Sequence, residues 1–180
     1  NLLIYAKPFK ASIFPTSIDN SPFDSNPVLW HVWVNLHHSN TANAYQRQYY
    51  QVTYQGEIIQ RLLASTARVG HLTPIGTFKL GVKLRAPKST LYDSVMPFWI
   101  TIITPELGIG SYGNHGLEGE EYLYYLGLPA SHGCVRLSNK WVKKGANWEN
   151  IGGAKWVYTY VPSNSTITIF NRPITPFTFE

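Results

Sequence analysis

The strongest constraint on the fold is a two-residue alternation. In VLWHVWVNLH (28–37) the even positions Val28, Trp30, Val32, Val34 and Leu36 are all apolar, whereas His31, Asn35 and His37 stand at odd ones. A strand turns successive side chains to opposite faces, so this period describes a strand with one face buried. The pattern returns in QYYQVTYQGEII, where Tyr50, Val52 and Tyr54 alternate with Gln51, Thr53 and Gln55. Gly56 then permits a tight turn, which predicts a hairpin into the run from Ile58 onward. GTFKLGVKL (76–84), FWITII (98–103) and TITIF (166–170) read as further strands. Helix signals are sparse: AKWVYTYV (154–161) stops at Pro162, and EGEEYLYYLG (118–127) stops at Gly127. The expected fold is mainly β, with one or two short helices.

Pro8, Pro15, Pro22 and Pro27, set among Ser, Asn and Asp, make residues 1–27 an extended arm rather than a helix. The expected organisation is that arm, a single domain over 28–172 and a tail over 173–180. A chain of 180 residues can bury one sizeable core, and 44% hydrophobic against 14% charged residues argues against disorder. Fifteen Lys and Arg against ten Asp and Glu give a net charge of +5, spread without a basic run. That suits attraction to an anionic matrix such as a cell wall and leaves no clustered patch for nucleic acid. No apolar run reaches the length of a membrane span. A first residue of Asn rather than Met suggests a processed piece, from which any export signal is absent.

One cysteine forbids an internal disulfide, and SHGCVRLS (131–138) places it in a chemically loaded setting. A thiol attacks carbonyls as its thiolate, which is scarce at neutral pH unless a base or a positive field assists. Two histidines are candidates. His132 stands two residues before Cys134, and on an extended segment both side chains leave the same face. His115, in SYGNHGLEG, lies between Gly113 and Gly116, which allow a close approach of backbone or ligand. Spacing alone does not choose between them. Gly133 and Cys134 offer backbone N–H groups as a partial oxyanion hole, and Arg136 shares the thiol's face to hold a carboxylate or favour the thiolate. Cys134 can instead be a small buried residue, and Arg136 a structural ion-pair partner. A zinc site from Cys134, the two histidines and His37, His38 or His71 lacks C-x-x-C or H-E-x-x-H spacing, so no metal or cofactor is expected.

SHGCVRLS, preceded by His115-Gly116 with 14 residues between Gly116 and Ser131, resembles the signature of the L,D-transpeptidase (YkuD-type) catalytic domain. TPIGTF (73–78) is similar to that family's T-P-x-G-x-F segment, and AKWVYTYVP with TITI resembles its closing helix and strand. The resemblance spans about 28–172 and implies a β-sandwich-like domain that remodels peptidoglycan in the cell envelope, in the periplasm or outside the cytoplasmic membrane. It implies that Cys134 attacks the third residue of a stem peptide and expels D-alanine. The thioester then passes to an amine of a second stem, giving a 3→3 cross-link, or to a lipoprotein lysine. It further implies His115 as base with the Gly116 carbonyl orienting its ring. His132 and Ser131 support the pocket, and Gly133, Arg136, Gly116 and Tyr112 face substrate or oxyanion. Carbapenem acylation is a property of the family. The alternatives are an L,D-carboxypeptidase using water and an inactive wall-binding module. Three features depart from the pattern: the stretch 139–153 looks inserted, Gly153 stands where an acidic residue is usual, and Asn114 precedes His115. The Glu- and Tyr-rich stretch 117–130 is a candidate lid or pocket wall, or a solvated loop.

Overall fold

The computed structural model describes residues 10–19, 23–39 and 47–173; Pro8, Pro22 and residues 174–180 of the expected arm and tail lie outside them. Ten strands are described: β1 Trp30–Asn35, β2 Tyr49–Tyr54, β3 Glu57–Leu63, β4 Gly76–Leu84, β5 Trp99–Ile103, β6 Tyr112–Gly116, β7 Val135–Leu137, β8 Trp141–Lys144, β9 Asn147–Asn150 and β10 Thr166–Phe170. Eight form one mixed sheet in the order β3-β2-β1-β10-β4-β5-β6-β7, and β8 with β9 form a separate ribbon. The β1–β10 and β6–β7 pairs are parallel. The fold is mainly β, as the alternation predicts.

The sheet doubles back on itself. Ser65, just past β3, exchanges both backbone hydrogen bonds with Arg136 of β7, at 3.0 and 2.8 Å. From β2 the Tyr50 hydroxyl donates to Asn114 Oδ1 of β6 at 3.2 Å. Both halves therefore face one core, built from the inward positions Trp30, Val32, Val34, Val52, Leu80, Ile100, Ile102, Val135, Leu137, Ile167 and Ile169. Helix α1 (Gly153–Tyr160) closes that core with Ala154, Trp156 and Val157. At roughly 1.5–3 kcal/mol for each large apolar side chain, this burial is the main force holding the sheet curled.

Local chemistry sets the element ends. Gln55 and Gly56 take φ values of 48° and 80°, the left-handed pair that a two-residue hairpin between β2 and β3 needs. Val28 does not belong to the buried stripe: Pro27–Leu29 is a 3₁₀ turn capped by Asn26, whose Oδ1 accepts from the Val28 amide at 3.2 Å, and Val28 is 85% exposed. The fixed φ of Pro27 turns the chain before the strand begins at Trp30. Ser12 pairs with Leu62, and Thr16 and Gln60 exchange hydrogen bonds of 2.9 and 2.7 Å, so residues 10–19 cover the edge of β3. The stretch 118–127 yields a 3₁₀ helix, Glu120–Tyr125, and the 139–153 insertion holds the β8–β9 ribbon. No described helix is long and apolar enough to cross a membrane.

Candidate active site

The segment around the single thiol is a bend rather than a strand. Ser131 Oγ accepts from the Gly133 amide at 3.1 Å and donates to the Cys134 carbonyl at 2.7 Å, tying the loop into a compact turn. Thr73 braces it from outside: its Oγ1 donates to the Gly133 carbonyl at 2.7 Å and accepts from the Ala67 amide at 3.0 Å. Gly133 has φ +140°, and a Cβ there would meet the Leu72 carbonyl oxygen and the Tyr112 ring, each at 2.9 Å. Only glycine passes between them. Gly133→Ala will therefore lower stability by about 2–4 kcal/mol in chemical denaturation, from the left-handed backbone and the clash together. An unchanged midpoint would show that the turn relaxes freely.

This bend alters two readings of the sequence. The positive φ of Gly133 interrupts the extended geometry on which a shared face for His132 and the thiol rests. Its ring stacks on Tyr92 (centroids 4.0 Å apart, 16° between planes) and meets His71 edge-on at 4.9 Å. The Gly133 amide is occupied by Ser131 Oγ, so it is not an open oxyanion donor.

Beyond the bend, β7 runs parallel to β6 with Asn114 opposite Val135, His115 opposite Arg136 and Gly116 opposite Leu137. One step back, the Gly113 backbone lies near enough to the Cys134 sulfur to favour its thiolate. Alternation then puts Gly113 and His115 of one strand, and Cys134 and Arg136 of the other, on a single face, with thiol and imidazole as diagonal neighbours. Asn114, Val135 and Leu137 take the core face, and Asn114 is wholly buried there, its Nδ2 without a partner. Trp99 covers the functional face: a Cβ on Gly113 would come within 2.6 Å of the indole, whose ring lies 5.9 Å from His115 at 20°.

Electrostatics follow from this packing. His115 Nδ1 lies 2.7 Å from the Gly116 carbonyl, which can only accept, so the proton sits on Nδ1 and Nε2 keeps its lone pair. Burial pushes the imidazole pKa down to about 4; the Gly116 carbonyl opposes this and the Arg136 charge adds to it. Burial raises the Cys134 thiol above its ordinary value, opposed by the Gly113 amide and by Arg136. The resting pair is thus neutral thiol and neutral imidazole. Arg136 is half-buried beside the thiol and has no carboxylate ion-pair partner within 4 Å among the described residues, although Tyr125 and Glu118 lie near enough to favour its charge. No three His, Cys, Asp or Glu side chains converge among the described residues.

The structure thus gathers Cys134, His115, Gly116 and Arg136 at one place, with Ser131, Gly133 and Tyr112 shaping the turn and His132 packed between Tyr92 and His71, within reach of the Arg136 charge. Sequence reading did not find Thr73, Trp99 or Tyr92. Thr73 lies in the TPIGTF motif already noted, whereas Trp99 and Tyr92 reach the site only through the fold.

The L,D-transpeptidase catalytic domain (YkuD) model matches residues 31–169. Compared by sequence with curated proteins, the chain matches none. Among solved structures, an L,D-transpeptidase from Stackebrandtia nassauensis superposes with a TM-score of 0.58 at 22% identity, over 87% of this chain and 63% of that one. L,D-transpeptidase 3 from Mycobacterium tuberculosis, in complex with a faropenem-derived adduct, gives 0.56 at 16% identity over 79% and 60%. An L,D-transpeptidase from Mycobacterium smegmatis gives 0.54 at 18% identity over 77% and 58%. The chain spans less than two thirds of each of these structures. The family model covers most of the sequence and the fold agrees with these structures: the chain belongs to the L,D-transpeptidase catalytic-domain family.

Proposed function

We propose that this chain is a cysteine acyltransferase of the cell envelope that acts on peptidoglycan stem peptides. The observation that supports it most is the single sheet face shared by Cys134, the Gly113 amide, the Nδ1-protonated ring of His115 and Arg136. His115 Nε2 takes the thiol proton as the sulfur attacks the carbonyl of the third stem residue. The Cys134 amide, next along the turn after the occupied Gly133 N–H, donates to the oxyanion. Collapse breaks the bond to the terminal D-alanine, whose nitrogen takes the proton back from His115, leaving a thioester on Cys134. An amine of a second stem, or of a lipoprotein, then attacks that thioester; its proton passes through His115 and the thiol is restored. Arg136 holds the carboxylate of the donor, which explains a half-buried guanidinium with no carboxylate ion-pair partner among the described residues.

Intact mass spectrometry after exposure to faropenem will show one adduct, mapping to Cys134. No adduct, or one mapping elsewhere, removes Cys134 as nucleophile. Incubation with purified tetrapeptide stems identifies the acceptor: cross-linked dimers mean transfer to an amine, and tripeptides alone mean transfer to water.

A further inference from the structure

The 139–153 insertion leaves two indoles in solvent. Trp141 is 43% and Trp148 is 64% exposed, whereas Trp30, Trp99 and Trp156 are buried. In the β8–β9 ribbon Trp141 opposes Asn150 and Lys143 opposes Trp148, so both indoles and Lys143 project from one face. Diagonal neighbours of this kind lie about 7–8 Å apart. Neither indole stacks on another ring among the described residues. Lys144 is paired with Glu149 on the opposite face, which leaves Lys143 as the ribbon's cation without an ion pair among the described residues. Two large aromatic surfaces held partly in solvent on one face form the kind of exposed patch that marks a binding site.

The ribbon is held firmly to the candidate site. Asn150 Nδ2 donates to Asn139 Oδ1 at 2.7 Å, and Asn139 Nδ2 donates to the carbonyl of Leu117, the residue directly after the His115 strand, at 2.8 Å. Lys140, beside Trp141, pairs at 3.6 Å with Glu120, the first residue of the 3₁₀ helix that carries Tyr122, Tyr124 and Tyr125. Tyr124 is 65% exposed, and Tyr125 lies near Arg136. The Lys140–Glu120 pair therefore ties the ribbon to the helix whose Tyr125 lies near the half-buried guanidinium.

We propose that this ribbon face binds the glycan strand of peptidoglycan, with Trp141 and Trp148 as stacking platforms for its sugar rings. This rests on the function proposed above, because the glycan is the polymer that carries the stems. A pyranose presents a face of C–H bonds to the electron-rich face of an indole, and its hydroxyl and N-acetyl oxygens accept from Lys143. The two indoles carry N–H groups, and Leu, Ile and Phe are absent from the ribbon face, so it suits a polyhydroxylated polymer better than a lipid surface. Because the ribbon is fixed to the strand after His115, a bound glycan places its stem peptides beside Cys134.

The test uses the whole chain with tetrameric β-1,4-linked N-acetylglucosamine as probe. In wild type the indole N–H resonances of Trp141 and Trp148 will shift saturably with the probe. Trp141→Ala/Trp148→Ala will lose at least tenfold of its retention on insoluble peptidoglycan, Trp141→Tyr/Trp148→Tyr will keep part of it, and release of D-alanine from soluble tetrapeptide will stay within twofold of wild type. Cys134→Ala will be retained as well as wild type, which separates this proposal from the catalytic one. Unshifted indole resonances, or undiminished retention of the double alanine variant, overturn it. Binding of wild type to anionic vesicles but not to the sugar assigns the face to lipid and also overturns it.

Discussion

Cys134→Ala will cut release of D-alanine from tetrapeptide stems by at least about 10⁴-fold and will abolish adduct formation with faropenem. The sulfur is the atom that becomes covalently bonded to the acyl group, and none of its neighbours can replace it. Arg136 is fully protonated, Ser131 Oγ is occupied by the Gly133 amide and the Cys134 carbonyl, and the indole of Trp99 is no nucleophile. Stability will change by less than about 1 kcal/mol in chemical denaturation. The turn around Cys134 is held by Ser131 and Thr73 rather than by the sulfur, and only a single buried atom is removed. A large stability loss would mean that the thiol is a packing element, and retained turnover would mean that another group attacks the substrate.

The parts of the fold that were legible in the sequence are those in which one strand or helix carries its own buried stripe. Thr166 and Thr168 alternating with Ile167 and Ile169 give β10 at its observed bounds, and Gln55-Gly56 gives the β2–β3 turn. The ribbon of 141–150 was not legible because it has no buried stripe: Trp141, Lys143 and Trp148 project together, so no alternation of polarity marks the strands. Within the site, Cys134 and His115 were legible as chemistry in glycine-rich surroundings. The ring contacts of His132 with Tyr92 and His71 were not, because the backbone turns at Gly133 with a φ of +140° and glycine in a sequence does not announce its sign. Trp99 reaches the thiol face because β5 pairs with β6, a contact between strands that local pattern does not encode.

His115→Gln will lower kcat/KM on tetrapeptide stems by about 10²–10⁴-fold, the range expected when a positioned base is removed. The thiol is held above its ordinary pKa by burial, so little thiolate exists at neutral pH and the proton must leave during attack. In wild type the imidazole is neutral down to about pH 4, so its contribution to kcat/KM will persist through mildly acid pH and fall only as Nε2 becomes protonated. The same shift acts on stability. An unfolded histidine titrates near 6.5, and the folded one near 4. Between those values the unfolded chain binds a proton that the folded chain does not, so stability rises with pH across that window and is lost as pH falls through it. The loss attributable to His115 amounts to about 3 kcal/mol at the low end. Denaturant midpoints measured from pH 7 to pH 4 will therefore fall more steeply for wild type than for His115→Gln, because the glutamine carries no such proton. Parallel profiles for the two proteins would show that the ring is not held neutral by burial, and the role of Nε2 as the resting proton acceptor would fall with it.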